Sequence, residues 1–423
     1  MTRFSIVQSI LLGVLFAEVA IASPGALDPT FGNGGIVITQ FGNNVRPIDV
    51  AMQRDGKVVV AGGLNDFRIA SEVACVVRYL SDGSLDASFG RNGLAVDAVT
   101  NFENEAEGVV VQTDGKIVML MRTVNADLSG NASVLVRFNI DGSRDLRYGN
   151  SGRVVVQFPH PAFFTAGATL LLLQPDDKII VAGAVTAPRR NHTPTKTVLA
   201  RFTPQGTADR TFGSAGVSEV VAIGMPEALA LLSDGSLLAV NLYQQTAQFT
   251  LTGALISRIV GGTVVASTHP GTTLFRSNAD FLLATGGPGP SGRRDLDVGV
   301  RLFKPTGTLD PDFQSPLFDF GAAGPYSNLA QAIVATPSGD IAVGGLSQGS
   351  NFDAQMGVAR LESNGALDSA FGKGGTLITS FPHGGQILAM VSQPDGKIVT
   401  VGQRFSNDTA IPVDLAVIRY LGQ

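Results

Sequence analysis

One phrase returns along this chain at near-regular intervals, and a repeat of that length constrains the fold more than any other feature. It reads "GALDPTFGNGG" at Gly25, "GSLDASFGRNG" at Gly83, "GSRDLRYGNSG" at Gly142 and "GTADRTFGSAG" at Gly206. It returns worn as "GALISRIVGG" at Gly253, then as "GTLDPDFQ" at Gly307 and "GALDSAFGKGG" at Gly365. A second phrase keeps step with it: "QRDGKVVVAGG", "QTDGKIVML", "QPDDKIIVAG", "LSDGSLLAV", "SNADFLLATGG", "TPSGDIAVGG" and "QPDGKIVTVG". So does a third, from "VVRYLSDG" to the final "VIRYLGQ". Each phrase has seven copies, spaced 47 to 64 residues apart, with no linker or charge run between them. Residues 23–423 therefore read as one domain of repeats averaging about 57 residues, whose copies bury their apolar faces on one another.

The phrases read as strands. "DVAMQRDGKVVVAGG" is apolar, then Asp-Gly, then β-branched, which is the pattern of a hairpin. No stretch after the amino terminus sustains a helical period with caps. Each unit supplies about four short antiparallel strands: one before the Asp-Gly, one after it, one carrying "VRY", and one carrying "LDxxFGxxG". The expected fold is all-β, a seven-bladed β-propeller; a straight solenoid is the rival, with shorter repeats as its usual mark. The chain opens on a fourth strand and ends after a third one. Residues 27–41 are thus expected to pair with residues 414–421, completing the last unit and leaving no open edge.

These three phrases in fixed order resemble the delta-60 repeat of bacterial exported proteins, over nearly all of residues 25–423. The fourth copy departs from the pattern, with Ile256 for the Asp and Gln248 for the Arg. The resemblance implies a β-propeller-like fold and export. It brings no catalytic residues with it.

Export is also read from the first residues. Arg3 precedes an apolar stretch from Ile6 to Ala17, and Ala20-Ile21-Ala22 ends it in small residues. That is the order of a signal peptide over residues 1–22, cut after Ala22. A membrane anchor is the rival, but a span needs about 20 apolar residues and this run is shorter. The expected location is periplasmic or extracellular, without a membrane span. A net charge of −5 argues against nucleic acid as a partner. The single Cys, Cys75, excludes a disulfide scaffold and reads as a buried small hydrophobe. No cofactor or metal is expected.

Residues that recur in every unit are expected to build it. The Arg of the third strand recurs as Arg78, Arg137, Arg201, Arg301, Arg360 and Arg419. The Asp of the fourth recurs as Asp86, Asp145, Asp209, Asp310, Asp368 and, through closure, Asp28. The fourth copy lacks both, which favours a direct Arg–carboxylate pair in the others. Phe31, Phe89, Phe212, Phe313 and Phe371 are expected to anchor the packing between units. The Asp-Gly pairs raise calcium, but the D-x-[DN]-x-[DN]-G loop is absent.

A site is expected where the units differ. Short uniform turns fall at one end of the strands, and long dissimilar connections at the other. Variable loops on a rigid frame are where binding concentrates. That end holds His160, His192, His269 and His383, and two basic pairs, Arg189-Arg190 and Arg293-Arg294. The histidines suit a metal or acid–base site, although no two share metal-ligand spacing. The arginines suit a carboxylate, phosphate or acidic sugar, or are solvated loop charges. There is no G-x-S-x-G elbow, and no pair of carboxylates stands out. The expectation is a monomeric, non-enzymatic binding or scaffold protein for a glycan, peptide or envelope protein. The alternative is an exported lyase or hydrolase using the His-bearing end.

Overall fold

The computed structural model describes residues 23–41, 44–66, 71–99, 103–124, 131–158, 164–186, 195–218, 220–241, 243–259, 272–288, 296–313, 315–321, 327–349, 354–407 and 413–422. Among them there are strands and turns and no helix, hence none long and apolar enough to cross a membrane.

The strands form small antiparallel sheets in chain order. After β1 (Ile36–Thr39) come β2 (Asn44–Met52), β3 (Val58–Asp66), β4 (Ser71–Tyr79) and β5 (Leu94–Asp97), paired in sequence. The next four are β6 (Glu103–Val111), β7 (Ile117–Val124), β8 (Asn131–Phe138) and β9 (Arg153–Val156). One parallel pair, Glu72 with Glu103, links these two groups. Then follow β10 (Phe164–Leu173), β11 (Ile179–Thr186) and β12 (Lys196–Phe202), and after them β13 (Pro226–Leu231), β14 (Leu237–Asn241), β15 (Thr246–Phe249) and β16 (Leu255–Ile259). β17 (Thr273–Phe275), β18 (Phe281–Pro288) and β19 (Leu296–Phe303) precede β20 (Asn328–Ala335), β21 (Ile341–Gln348), β22 (Ala354–Leu361) and β23 (Thr376–Thr379). The last are β24 (Gly385–Ser392), β25 (Ile398–Phe405) and β26 (Val413–Tyr420). The expected fourth strand is missing as a named element after β12 and after β19. Isolated bridges stand in its place: Ala200 with Val217, Thr197 with Val221, and Val298 with Phe318.

The two ends of the chain share one sheet. β1 pairs antiparallel with β26, Ile36 opposite Ile418 and Thr39 opposite Leu415. The adjoining turn is made in two pieces. Gly25 N–H donates to Leu421 O at 2.9 Å and Leu421 N–H to Ala26 O at 2.8 Å. The continuous turn of the first unit has the same two bonds, Gly83 to Leu80 and Leu80 to Ser84.

Both faces of a sheet are buried against its neighbours, which is why second and third strands read as unbroken apolar runs. Val58, Val60, Cys75 and Val77 pack towards Val399, Val401, Leu415 and Val417, while Val59, Ala61 and Val76 pack towards Met119, Met121 and Val136. The first strands touch in succession, β2 with β6, β6 with β10, β10 with β13, β13 with β17, β17 with β20, β20 with β24, and β24 with β2 again.

The repeated Arg and Asp make the expected pair in five units. Arg78 meets Asp86, Arg201 meets Asp209 and Arg419 meets Asp28, at 2.9, 2.9 and 2.8 Å. Arg137 with Asp145 and Arg360 with Asp368 do the same, at 2.8 and 2.6 Å. Each guanidinium also lies over the aromatic ring three residues beyond its Asp, as Arg78 over Phe89 at 4.3 Å and Arg137 over Tyr148 at 4.5 Å. Each then donates to a carbonyl of the following unit. Arg78 reaches Ile140 O, Arg137 Pro204 O, Arg201 Leu251 O, Arg360 Gly422 O, and Arg419 Ser81 O. The turn glycine beside that carbonyl abuts the ring: a Cβ on Gly83, whose φ is +86°, would stand 3.0 Å from Phe31.

The expected pair of Arg301 with Asp310 is not made. Counted back from the turn glycine, Arg78, Arg137 and Arg201 stand five residues before Gly83, Gly142 and Gly206, but Arg301 stands six before Gly307. Leu302 fills the pairing position, opposite Leu282, and its carbonyl accepts from Asp310 N–H. A one-residue shift in a strand turns the side chain to the other face, so Arg301 is exposed. Lys304 takes Asp310 at 2.7 Å instead, and Arg276 covers Phe313 and donates to Ser363 O. In the worn fourth unit Thr246 Oγ1 donates to Pro305 O at 3.0 Å, so that junction is tied without an Arg.

Candidate functional site

Two cavities lie where the first strands converge. The larger, about 650 Å³, is at the short-turn end, under Met52, Val111, Leu173 and Leu231. Its polar rim is engaged in joining turns: Asp177 accepts from Thr113 N–H at 2.9 Å and Gln53 donates to Gly115 O. The other, about 530 Å³, is at the end with the long connections, and is lined from β2, β6, β10, β13, β17, β20 and β24.

The second cavity has a repeated cause. In six first strands the register slips by one residue, leaving Ile48, Glu107, Thr169, Glu227, Gln331 and Leu388 without a partner opposite. Such a bulge re-aims a side chain out of the ladder. All but Gln331 line the cavity, and Gln331 adjoins Ala332 and Ile333, which do. The glycine ending the second phrase makes the bulge possible: a Cβ on Gly402 would stand 1.9 Å from Gln386 O.

The wall is divided. Leu170, Leu171, Ile333, Leu388 and Met390 make an apolar half, and Asp49, Glu105, Glu107 and Glu227 make an acidic one. Arg46 is the one cation in the lining. It donates to Glu105 at 3.1 Å, and Arg122 behind it holds Glu105 and Glu107, the latter at 3.2 Å. Burial, then the Glu105 charge, push the Glu107 carboxyl up to about 7 against the pull of Arg122. Glu72, beside the same group, is raised by burial to about 7 as well. Burial also raises Glu227 and Asp49; Asp49 accepts N–H bonds from Val109 and Val50, at 2.9 and 2.8 Å. Glu227 has no hydrogen bond or ion pair among the described residues.

Of the residues singled out in sequence, only His383 is described, exposed in the turn before β24. His160, Arg189, Arg190, His192, His269, Arg293 and Arg294 lie outside the described residues. Among those described, no three His, Cys, Asp or Glu are placed to hold a metal. Cys75 is fully buried, and its thiol is pushed up to about 12. The acidic wall was not singled out in sequence, yet it carries a signal. Ile48, Glu107, Thr169 and Leu388 each stand five residues before the Gln of the second phrase, namely Gln53, Gln112, Gln174 and Gln393.

A family model described as a domain of unknown function (DUF5122) beta-propeller matches residues 53–89, 174–212 and 336–371. These segments run from the second phrase to the "FG" of the first, so the chain carries the repeat of a propeller family. No curated protein matches the sequence. Among solved structures, YCF48 bound to D1 peptide superposes with a TM-score of 0.51 at 9% identity, covering 95% of this chain and 100% of that one. YCF48 from Cyanidioschyzon merolae gives 0.47 at 10% identity, covering 91% and 98%. The alpha-L-arabinofuranosidase arb93a from Fusarium graminearum gives 0.41 at 13%, covering 90% and 96%. The first of these likenesses shows a shared propeller-like fold.

Proposed function

We propose that this chain is an exported, non-enzymatic binding or scaffold protein of the delta-60 repeat type: a closed seven-bladed propeller over residues 23–423, freed of a signal peptide at residues 1–22. Seven sequence copies support the blade count. Support for closure comes from the first strands, which return from β24 to β2, and from Arg419, which ties the last unit to Ser81 of the first. The observation that carries the binding role is the cavity of about 530 Å³, because strands of every unit line it and the long connections surround that end. A glycan, a peptide or an envelope protein is the partner class.

The test compares the native chain with Leu388→Trp, which fills the cavity, on glycan and peptide arrays. A ligand held by the native chain and lost by the filled one supports the reading. A ligand held equally by both puts recognition elsewhere and overturns it.

A second reading, a lyase or hydrolase, is favoured by one observation. Glu107, held near 7, and Glu227, also raised, line one cavity and suit general acid–base work. Turnover of a glycoside or uronide substrate that Glu107→Gln abolishes, with the fold intact, would put it first.

A further inference from the structure

Resting on the binding reading, we propose that this cavity is a receptor for an alkylammonium group, the side chain of a lysine on a partner peptide, with its charged end at Glu227 and Glu107 and its methylene stem on the apolar half. The polar inventory of the wall is lopsided. Asp49, Glu105, Glu107 and Glu227 offer acceptors, while Arg46, the one cationic donor there, is engaged by Glu105. Two further oxygens have no partner: Thr169 Oγ1 in the wall, and Oε1 of Gln331, a bulged residue only 6% exposed. Buried acceptors without donors are costly, and a ligand that only donates relieves them. An ammonium has three donors and no acceptor.

Geometry favours lysine over arginine. The carboxylates stand on separate sheets, on β2, β6 and β13, and so approach from different directions. That arrangement suits a compact charge with rotatable donors better than a planar fork built for one carboxylate. Across the cavity, Leu388 and Met390 offer the apolar surface along which a lysine stem packs. An anion would meet four carboxylates, and a neutral alkyl group would leave them unpaired.

The probe is n-pentylammonium, with 1-pentanol and pentanoate as neutral and anionic counterparts, titrated into the chain by calorimetry at low salt. Saturable binding of the ammonium alone is expected. Glu227→Gln should weaken it about tenfold and Glu107→Gln by a similar factor, with unchanged circular dichroism and melting as the control on folding. No saturable ammonium binding, equal binding of pentanol, or an unchanged affinity in Glu227→Gln overturns the proposal. The outcome separates from that of the wider reading: an array ligand lost on Leu388→Trp, together with no ammonium binding, sinks the lysine assignment and leaves the binding role in place.

Discussion

Arg419 donates from Nε to Oδ2 of Asp28 at 2.8 Å, across 391 positions of sequence. The bond equals the local one between Arg78 and Asp86, eight residues apart. One pairing rule thus serves within a unit and between the chain's two ends. Lys397 lies 3.5 Å from the same carboxylate.

Removing that arginine leaves Asp28 buried with a weaker cation beside it. Arg419→Met is expected to cost about 3 kcal/mol, the lower part of the range for breaking a buried pair, because Lys397 remains. The tie to Ser81 O goes with it. Urea unfolding of Arg419→Met, Asp28→Asn and the double variant gives the coupling. An interaction energy below about 0.5 kcal/mol, the level of independent sites, would show that the ends are held by strand pairing alone.

Arg301 and Arg276 make opposite predictions from look-alike sequence contexts. Arg301→Ala removes an exposed side chain and is expected to change stability by less than about 0.5 kcal/mol. Arg276→Ala removes the hydrogen bond to Ser363 O and the cover of Phe313, and is expected to cost about 1–2 kcal/mol. Equal midpoints for the two variants would mean that the fifth unit is held otherwise.

Stability should pass through a maximum in weakly acidic solution. Burial opposes the ionisation of Asp209, but the Thr211 hydroxyl and N–H, Arg201 and Lys178 outweigh it and hold the carboxyl at about 2. Asp28, Asp86 and Asp145 are also lowered on balance, against burial. These groups bind protons more weakly folded than unfolded. Their stabilisation is present above the ordinary aspartate value and is lost as pH falls towards 2. Glu72 and Glu107 act in the other sense. Raised by burial from 4.5 to about 7, they favour the folded state below 4.5 and lose that contribution as pH rises through 7. The melting temperature should therefore climb from pH 2 to about 4–5 and fall again towards pH 8. The double variant Glu72→Gln and Glu107→Gln should lose the fall and keep the climb; persistence of the fall would refute the assignment.

How far the sequence reached follows from what a residue's neighbours are. Arg78 and Asp86 were legible as a pair because they are near in sequence and recur together. The β1–β26 pairing was legible because the chain starts and stops out of phase with its own repeat. Arg301 misled because the phrase was matched by letters, and a strand's facing is set by a count from Gly307. The acidic wall was missed for a related reason. A bulge is a mismatch between two strands and leaves no mark in either alone, and the residue it turns out varies from Ile48 to Glu107 to Thr169.

The bulge also makes the last prediction, at Gly402. This glycine sits opposite Ile387, where β24 begins to slip and its Gln386 carbonyl comes close. A methyl there cannot be relieved by a side-chain rotation, because the atom it meets is backbone. Gly402→Ala should therefore cost about 1–3 kcal/mol, as overpacking does, despite alanine's smaller entropic cost in the unfolded chain. It should also change the cavity, because Leu388 is the residue the slip turns inward. The informative control is Gly396→Ala in the neighbouring turn, which has no heavy atom within 4 Å of its Cβ position but a φ of +84°. That variant is expected to lose about 1–2 kcal/mol to backbone strain while leaving ligand binding at the cavity unchanged. Urea midpoints for both variants, with the affinity of a cavity ligand measured alongside, check the pair. Intact affinity in Gly402→Ala would show that the bulge does not set the shape of the site.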